Sequence, residues 1–237
     1  MLVGHFAVAF LGKRIEPRIS LGTLMLAAML ADILWCAFMI AGIEEIRARQ
    51  GATVAGLRMV DAMEATQIAF SHSLVMLIVW SAVAGCLFFL RSRNRRAAWI
   101  ISAIVISHWF LDFASHPPDM PLAPFFSQRL GLGLWNSIPA TIVIEGFVWV
   151  FAIQLYVRST RSENRVGVFV LWAGIVLLTL IWFANIAGPP PRDFSDIGYS
   201  SLTLFGITVG WAYRVNRWRG RRLSERPRRD GRAAAVN

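Results

Sequence analysis

The chain has four histidines, and each lies in or beside an apolar run: His5, His72, His108 and His116. The last two share a stripe with Asp112, because positions 108, 112 and 116 fall at i, i+4 and i+8 on one helix face. Asp32, in LADILW, adds a carboxylate near the bilayer middle, and Glu145, in the apolar run after Pro139, adds one at the shallower depth of His72 and Asp112. Ionisable side chains in hydrocarbon cost about 2.5–3.5 kcal/mol each on insertion scales, so they pair, line a wet cavity or hold an ion. Neutral imidazole and carboxylate oxygen suit zinc, manganese or iron(II). Three such ligands with an open position make a hydrolytic centre, since a divalent ion there lowers the pKa of water to about 7 and polarises a phosphoryl or carbonyl oxygen. On this scheme His72, His108 and Asp112 are the preferred ligands. Asp32 and His116 complete or orient the shell, and Glu145 is the general base. His5 joins only if residues 2–11 form a half-helix entering the bilayer.

Each residue also has a plainer role open to it. A single intramembrane His or Asp can serve as an interhelical hydrogen-bond partner worth under about 1 kcal/mol, and Asp32 and His72 divide evenly between that role and ligation. Asp119 follows two prolines, where it fits a turn or a substrate contact. Glu145 fits an arginine pair equally well.

The elements that must carry these groups are helices. With 56% hydrophobic residues, 16% charged and 237 residues in all, the chain is too apolar for a soluble domain and suits a single integral membrane domain over residues 1–215. The fold class expected is all-α, a polytopic transmembrane bundle. About 20 apolar residues are needed to cross a bilayer. Six stretches qualify: Ser20–Gly42, Thr66–Leu90, Ala97–Ser115, Pro139–Val157, Val166–Ala187 and the shorter Tyr199–Val215. A short apolar half-helix precedes them.

Placing both termini in the cytoplasm puts nineteen of the 24 basic residues inside, among them Lys13, Arg14, the arginines of RSRNRR at 91–96 and nine between Arg214 and Arg232. That asymmetry is what the positive-inside rule requires. Residues 216–237 then form a basic, disordered cytoplasmic tail that contacts anionic head groups. Membrane lipids are the expected partners and nucleic acid is not. MLVGHFAVAFLG at the start lacks the charged beginning and cleavage site of a secretory signal and is expected to stay in the fold.

GH at 4–5, LADILW at 30–35, FSHSL at 70–74 and SHWFLDFASHPPDMPLAP at 107–124 together resemble the YdjM-like family of bacterial inner-membrane proteins, over roughly residues 1–125. The resemblance implies a metal-dependent hydrolase with His5, Asp32, His72, His108 and Asp112 as ligands to a divalent metal, zinc or manganese. Two departures stand out. Leu34 and Trp35 occupy positions where the family often has a second Asp and a His, and Gln67 stands where it often has a His. Losing those groups favours one metal over two. A lipid or phosphoester-type substrate at the outer half of the inner membrane fits this picture. A transporter or proton pathway through the same residues, and a non-catalytic scaffold, are the alternatives.

Overall fold

The computed structural model describes residues 1–48, 63–189 and 196–221. Among the described residues nine α-helices follow in order: α1 Leu2–Ile15, α2 Leu21–Ala28, α3 Leu30–Ile40, α4 Ala69–His72, α5 Leu74–Ser92, α6 Arg95–Ser115, α7 Ile138–Ser159, α8 Arg165–Ala187 and α9 Ile197–Trp218. Three short antiparallel strand pairs tie loops together: β1 Glu45–Ala48 with β2 Met63–Gln67, β3 Met120–Pro121 with β4 Arg129–Leu130, and β5 Thr160–Ser162 with β6 Arg219–Arg221. The fold is an all-α bundle. Four helices, α5 to α8, are long and apolar enough to cross a membrane, or five spans if α2 and α3 count as one bent pair. The sixth stretch expected becomes α9, which has 22 residues but is more polar, with Ser200, Ser201, Thr203, Thr208 and Asn216 along it.

Two of the expected spans are broken, and both breaks serve the buried polar layer. The first bends by 56° between α2 and α3, at Met29. The second starts late: residues 63–67 are strand, α4 is a single turn, and Ser73 is extended (φ −73°, ψ 149°) before α5 begins. Ser73 then caps α5, its hydroxyl accepting from Met76 N at 3.3 Å, which satisfies one of the orphan N–H groups of the first turn. Irregular backbone at membrane depth is tolerated only where protein or a cavity covers it.

Helix α1 is apolar on all sides and buried on most, with Val3, Phe6, Ala7, Ala9 and Phe10 fully enclosed, as befits a helix surrounded by others. Its aromatic side chains pack on α7, with ring centroids of Phe10 and Tyr156 4.8 Å apart and those of Phe10 and Trp149 5.5 Å apart. Helices α5 and α6 meet through small residues: the Ser81 hydroxyl donates to Ser102 O at 3.0 Å and the Ser102 hydroxyl to Ser81 O at 2.9 Å. Gly85 lies against Ser102 so closely that a Cβ would come within 2.1 Å of its Oγ. Close backbone approach through small and hydroxyl residues is how helices associate where lipid removes the hydrophobic drive. Leu87, Phe147, Phe169 and Leu180 are exposed on the bundle exterior, an apolar coat suited to lipid.

The basic segments gather at one end. Arg96 donates to Ile15 O at 3.4 Å and lies 3.5 Å from Glu16, Asn216 accepts from Leu21 N at 3.1 Å, and Arg219 donates to Thr160 Oγ1 at 3.1 Å. Arg219 also sits over the Tyr156 ring at 5.6 Å, and this anchoring carries ordered chain past residue 215 to β6. The remaining tail, residues 222–237, lies outside the described residues. Helix α1 ends at this basic face with Lys13 and Arg14 and begins a helix length away, where Met1 is buried among polar groups. The amino-terminal residue therefore lies in the buried layer, because the half-helix points its start, not its end, into the bundle.

Candidate metal centre

Four elements deliver the ligand-type side chains. Helix α6, capped at its start by Asn94 accepting from Ala97 N at 3.1 Å, brings His108 and Asp112 round on the buried face and ends at His116, whose N–H still donates to Asp112 O at 2.7 Å. The bend at Met29 places Asp32 in the first turn of α3, where the partial positive charge of a helix start favours a carboxylate. The single turn α4 ends on His72, and α1 supplies His5 one turn from its start. His5, His72, His108 and Asp112 are all more than nine-tenths buried.

Their polar atoms converge. His108 Nε2 is 3.2 Å from Asp112 Oδ2 and 3.7 Å from Asp32 Oδ1, while His72 Nε2 is 3.4 Å from Asp32 Oδ1 and 4.0 Å from Asp112 Oδ2. Four tetrahedral ligands at about 2.0–2.1 Å from an ion stand about 3.3 Å from one another, so these spacings fit a cation held between two histidines and two aspartates. Two sets of three residues meet the spacing needed of ligands, His5 with Asp32 and His108, and His72 with His108 and Asp112, and His108 belongs to both.

The protonation pattern points the same way. His108 Nδ1 lies 2.9 Å from Ala28 O, beside the helix break, and a carbonyl only accepts, so Nδ1 carries the hydrogen. Nε2 is left buried, with no hydrogen-bond partner among the described residues, facing two carboxylates. A lone pair aimed at carboxylate oxygens is unfavourable, so a positive charge, either a second ring hydrogen on Nε2 or a bound cation, belongs between them. The His5 ring stacks on the His108 ring at 3.7 Å and 3°, with its Nε2 3.0 Å from Asp112 Oδ1. The Met1 amino nitrogen donates to the same oxygen at 2.6 Å. His116 stands at the edge: its Nε2 is 4.0 Å from Asp112 Oδ1, its Nδ1 is 3.0 Å from Asp119 Oδ1, and its ring packs on Trp135 at 4.3 Å.

The model of a family described as YdjM inner membrane protein matches residues 1–187. The chain belongs to the YdjM family. The match runs well past the motif-bearing region to the end of α8, so it covers the helices that carry the buried His and Asp residues and α8 beside the cavity, while α9 lies beyond it. No curated protein and no solved structure matches the chain.

Against the sequence expectations, the YdjM-family structure brings together His5, Asp32, His72, His108 and Asp112, with His116 at the rim. Glu145 is different. It is fully buried, its Oε1 accepts from Trp135 Nε1 at 3.0 Å, and it does not line the cavity that opens onto the cluster. Its second oxygen is buried with no hydrogen-bond partner among the described residues, and Trp135, which donates to its first, packs on His116 at 4.3 Å. Asp119, given to a turn, forms the other half of a His–Asp pair. The residue missed altogether is Glu44. Buried just beyond α3, it accepts from Phe70 N and Ser71 N at 2.8 Å each and from the Ser71 hydroxyl at 2.6 Å. Burial raises the carboxyl above its usual range, against the opposing pull of Ser71. In the sequence it is one of two adjacent glutamates at a span end, and nothing there distinguishes it from a loop charge.

A cavity of about 380 Å³ adjoins the cluster, within the range of small-molecule sites. One wall is polar, with Asp32, His72, Asp112, His116 and Asp119. The side formed by α8 and α9 is mainly apolar, with Ile181, Ala184, Leu204 and Phe205, and also carries Asn185 and Ser201.

Proposed function

We propose that this protein is a membrane-embedded, metal-dependent hydrolase of a lipid ester or phosphoester. One observation carries the reading: the buried, unpartnered Nε2 of His108 directed at Asp32 and Asp112. Asp32, His72, His108 and Asp112 would hold one divalent ion, and His5, stacked on His108, would fix its ring. Two imidazoles favour zinc, with manganese next. When bound, such an ion supplies a Lewis acid that polarises a phosphoryl or carbonyl oxygen and acidifies water.

The chain's own residues supply the rest. His116, held through Nδ1 by Asp119 and open to the cavity, takes and returns the proton in place of Glu145. The two-sided cavity suits an amphiphile whose head group meets the polar wall while its chain lies along α8 and α9. The helices cross the inner membrane several times, with the basic face in the cytoplasm and the centre in the outer half of the bilayer. The gathering of residues 13–18, 91–96, 158–165 and 214–221 at one end supports this sidedness. The arginine-rich tail beyond β6 lies on anionic head groups.

The experiment is to purify the protein in detergent, measure bound metal, and assay p-nitrophenyl butyrate and bis(p-nitrophenyl) phosphate in mixed micelles with zinc or manganese. The reading expects about one metal per chain and turnover that chelation abolishes. Protein that binds neither metal, or hydrolysis unchanged in His108→Ala, would refute it.

A further inference from the structure

His72 is the one ligand candidate on a single-turn helix, and its ring has to be held by something other than α4 itself. Ile68, at the cap position of α4, offers no side chain to the first turn. Glu44 does so from across the chain, with Oε1 accepting the backbone N–H groups of Phe70 and Ser71. Its second oxygen accepts the Ser71 hydroxyl, and Ser71 Oγ is 2.7 Å from His72 Nδ1. A carboxylate only accepts and a serine has one hydrogen. If that hydrogen goes to Glu44, the Ser71 lone pair receives a hydrogen from His72 Nδ1, and Nε2 faces Asp32 and Asp112 as a lone pair.

We propose that Glu44 and Ser71 form a positioning relay that fixes the Nδ1–H form of His72 and so directs its Nε2 lone pair into the Asp32–Asp112 cluster. The proposal rests on the metal-site reading for its purpose, but the form of His72 is a property of the protein alone. His108 likewise carries its Nδ1 hydrogen toward an acceptor, the Ala28 carbonyl, so the two histidines turn the same nitrogen to the cluster by different means. Hydrogen bonds behind metal-ligating histidines fix tautomer and ring orientation, and their loss typically lowers metal affinity 10- to 100-fold.

Glu44→Gln separates the relay from simple helix capping. The two backbone N–H groups hold the amide oxygen in the Oε1 position, so the cap survives. The amide NH₂ then faces Ser71 and donates to it, Ser71 donates to His72 Nδ1, and the hydrogen moves to Nε2. Ser71→Ala removes the relay and leaves the cap, and Ser71→Thr restores the hydroxyl.

The test is nitrogen NMR of ¹⁵N-histidine-labelled full-length protein in micelles without metal, with zinc titrations beside it. The expected results are an Nδ1–H signal for His72 in wild type and Ser71→Thr, an Nε2–H signal in Glu44→Gln, and zinc affinity down 10- to 100-fold in Glu44→Gln and Ser71→Ala. The relay is overturned if His72 shows the same tautomer in wild type and Glu44→Gln, or if both weakened variants bind zinc within threefold of a zinc-binding wild type. Wild type that binds no zinc while its tautomer switches in Glu44→Gln supports the relay and sinks the metal-site reading.

Discussion

His108→Ala is the sharpest perturbation of the centre. His108 belongs to both three-residue ligand sets, so its removal leaves neither with three members. Structural zinc sites with four ligands bind with about 10–16 kcal/mol at neutral pH, or about 2.5–4 kcal/mol for each ligand. At about 1.4 kcal/mol for each factor of ten, losing one ligand lowers affinity by roughly two to three orders of magnitude. His116→Ala provides the contrast. Its Nε2 stands 4.0 Å from the nearest cluster oxygen and its other nitrogen belongs to Asp119, so zinc affinity should fall less than about tenfold, below the usual range of outer-shell effects. The assay is competition between detergent-purified protein and a chromophoric chelator, with zinc and with manganese. If the cluster were only a hydrogen-bonded seam between helices, His108→Ala would change stability by about 0.6–1.7 kcal/mol and nothing else. Equal zinc affinities in the two variants would therefore refute the geometric reasoning, whatever their effect on folding.

Three further outcomes follow from the same contacts. Zinc at 100 times its Kd should stabilise the wild type by about 2.7 kcal/mol, read as a rise in melting temperature that is absent from His108→Ala. Asp119→Asn should leave zinc affinity within about threefold but lower kcat on a nitrophenyl substrate by about 10²–10⁴, the usual worth of a positioned acid–base group; an unchanged kcat would remove His116 from proton transfer. Gly85→Val should destabilise the α5–α6 pair by about 1–3 kcal/mol through overpacking against Ser102, detected as a lower melting temperature, and a neutral substitution would mean the helices do not pack through Gly85.

The bundle was legible because its signal is one-dimensional: the apolar runs that became α6, α7 and α8 stop within two residues of the expected ends. The buried His/Asp cluster was legible for a related reason. A charged group at bilayer depth needs a partner, so intramembrane His and Asp residues could be grouped without knowing how their helices pack. What the one-dimensional signal lacks is direction. Glu145 has the right depth, yet which neighbour an α7 side chain meets depends on how that helix is rotated against α6 and on the Leu134–Asn136 turn that carries Trp135. The breaks at Met29 and Ser73 were equally hidden, since neither residue is a glycine or proline, hydropathy runs smoothly through Met29, and the polar Ser71-His72-Ser73 run reads as site residues as readily as a helix break. Those breaks are nevertheless what makes the centre possible. An unbroken α2–α3 rod would engage Ala28 O in its own ladder, and an unbroken α4–α5 rod would keep His72 on a helix face set by the packing of the whole span. Interrupting the two helices costs backbone hydrogen bonds, but it frees a carbonyl for His108 and detaches His72 onto one turn that Glu44 can aim. The centre is thus built less by where the histidines stand in the sequence than by where the helices around them stop.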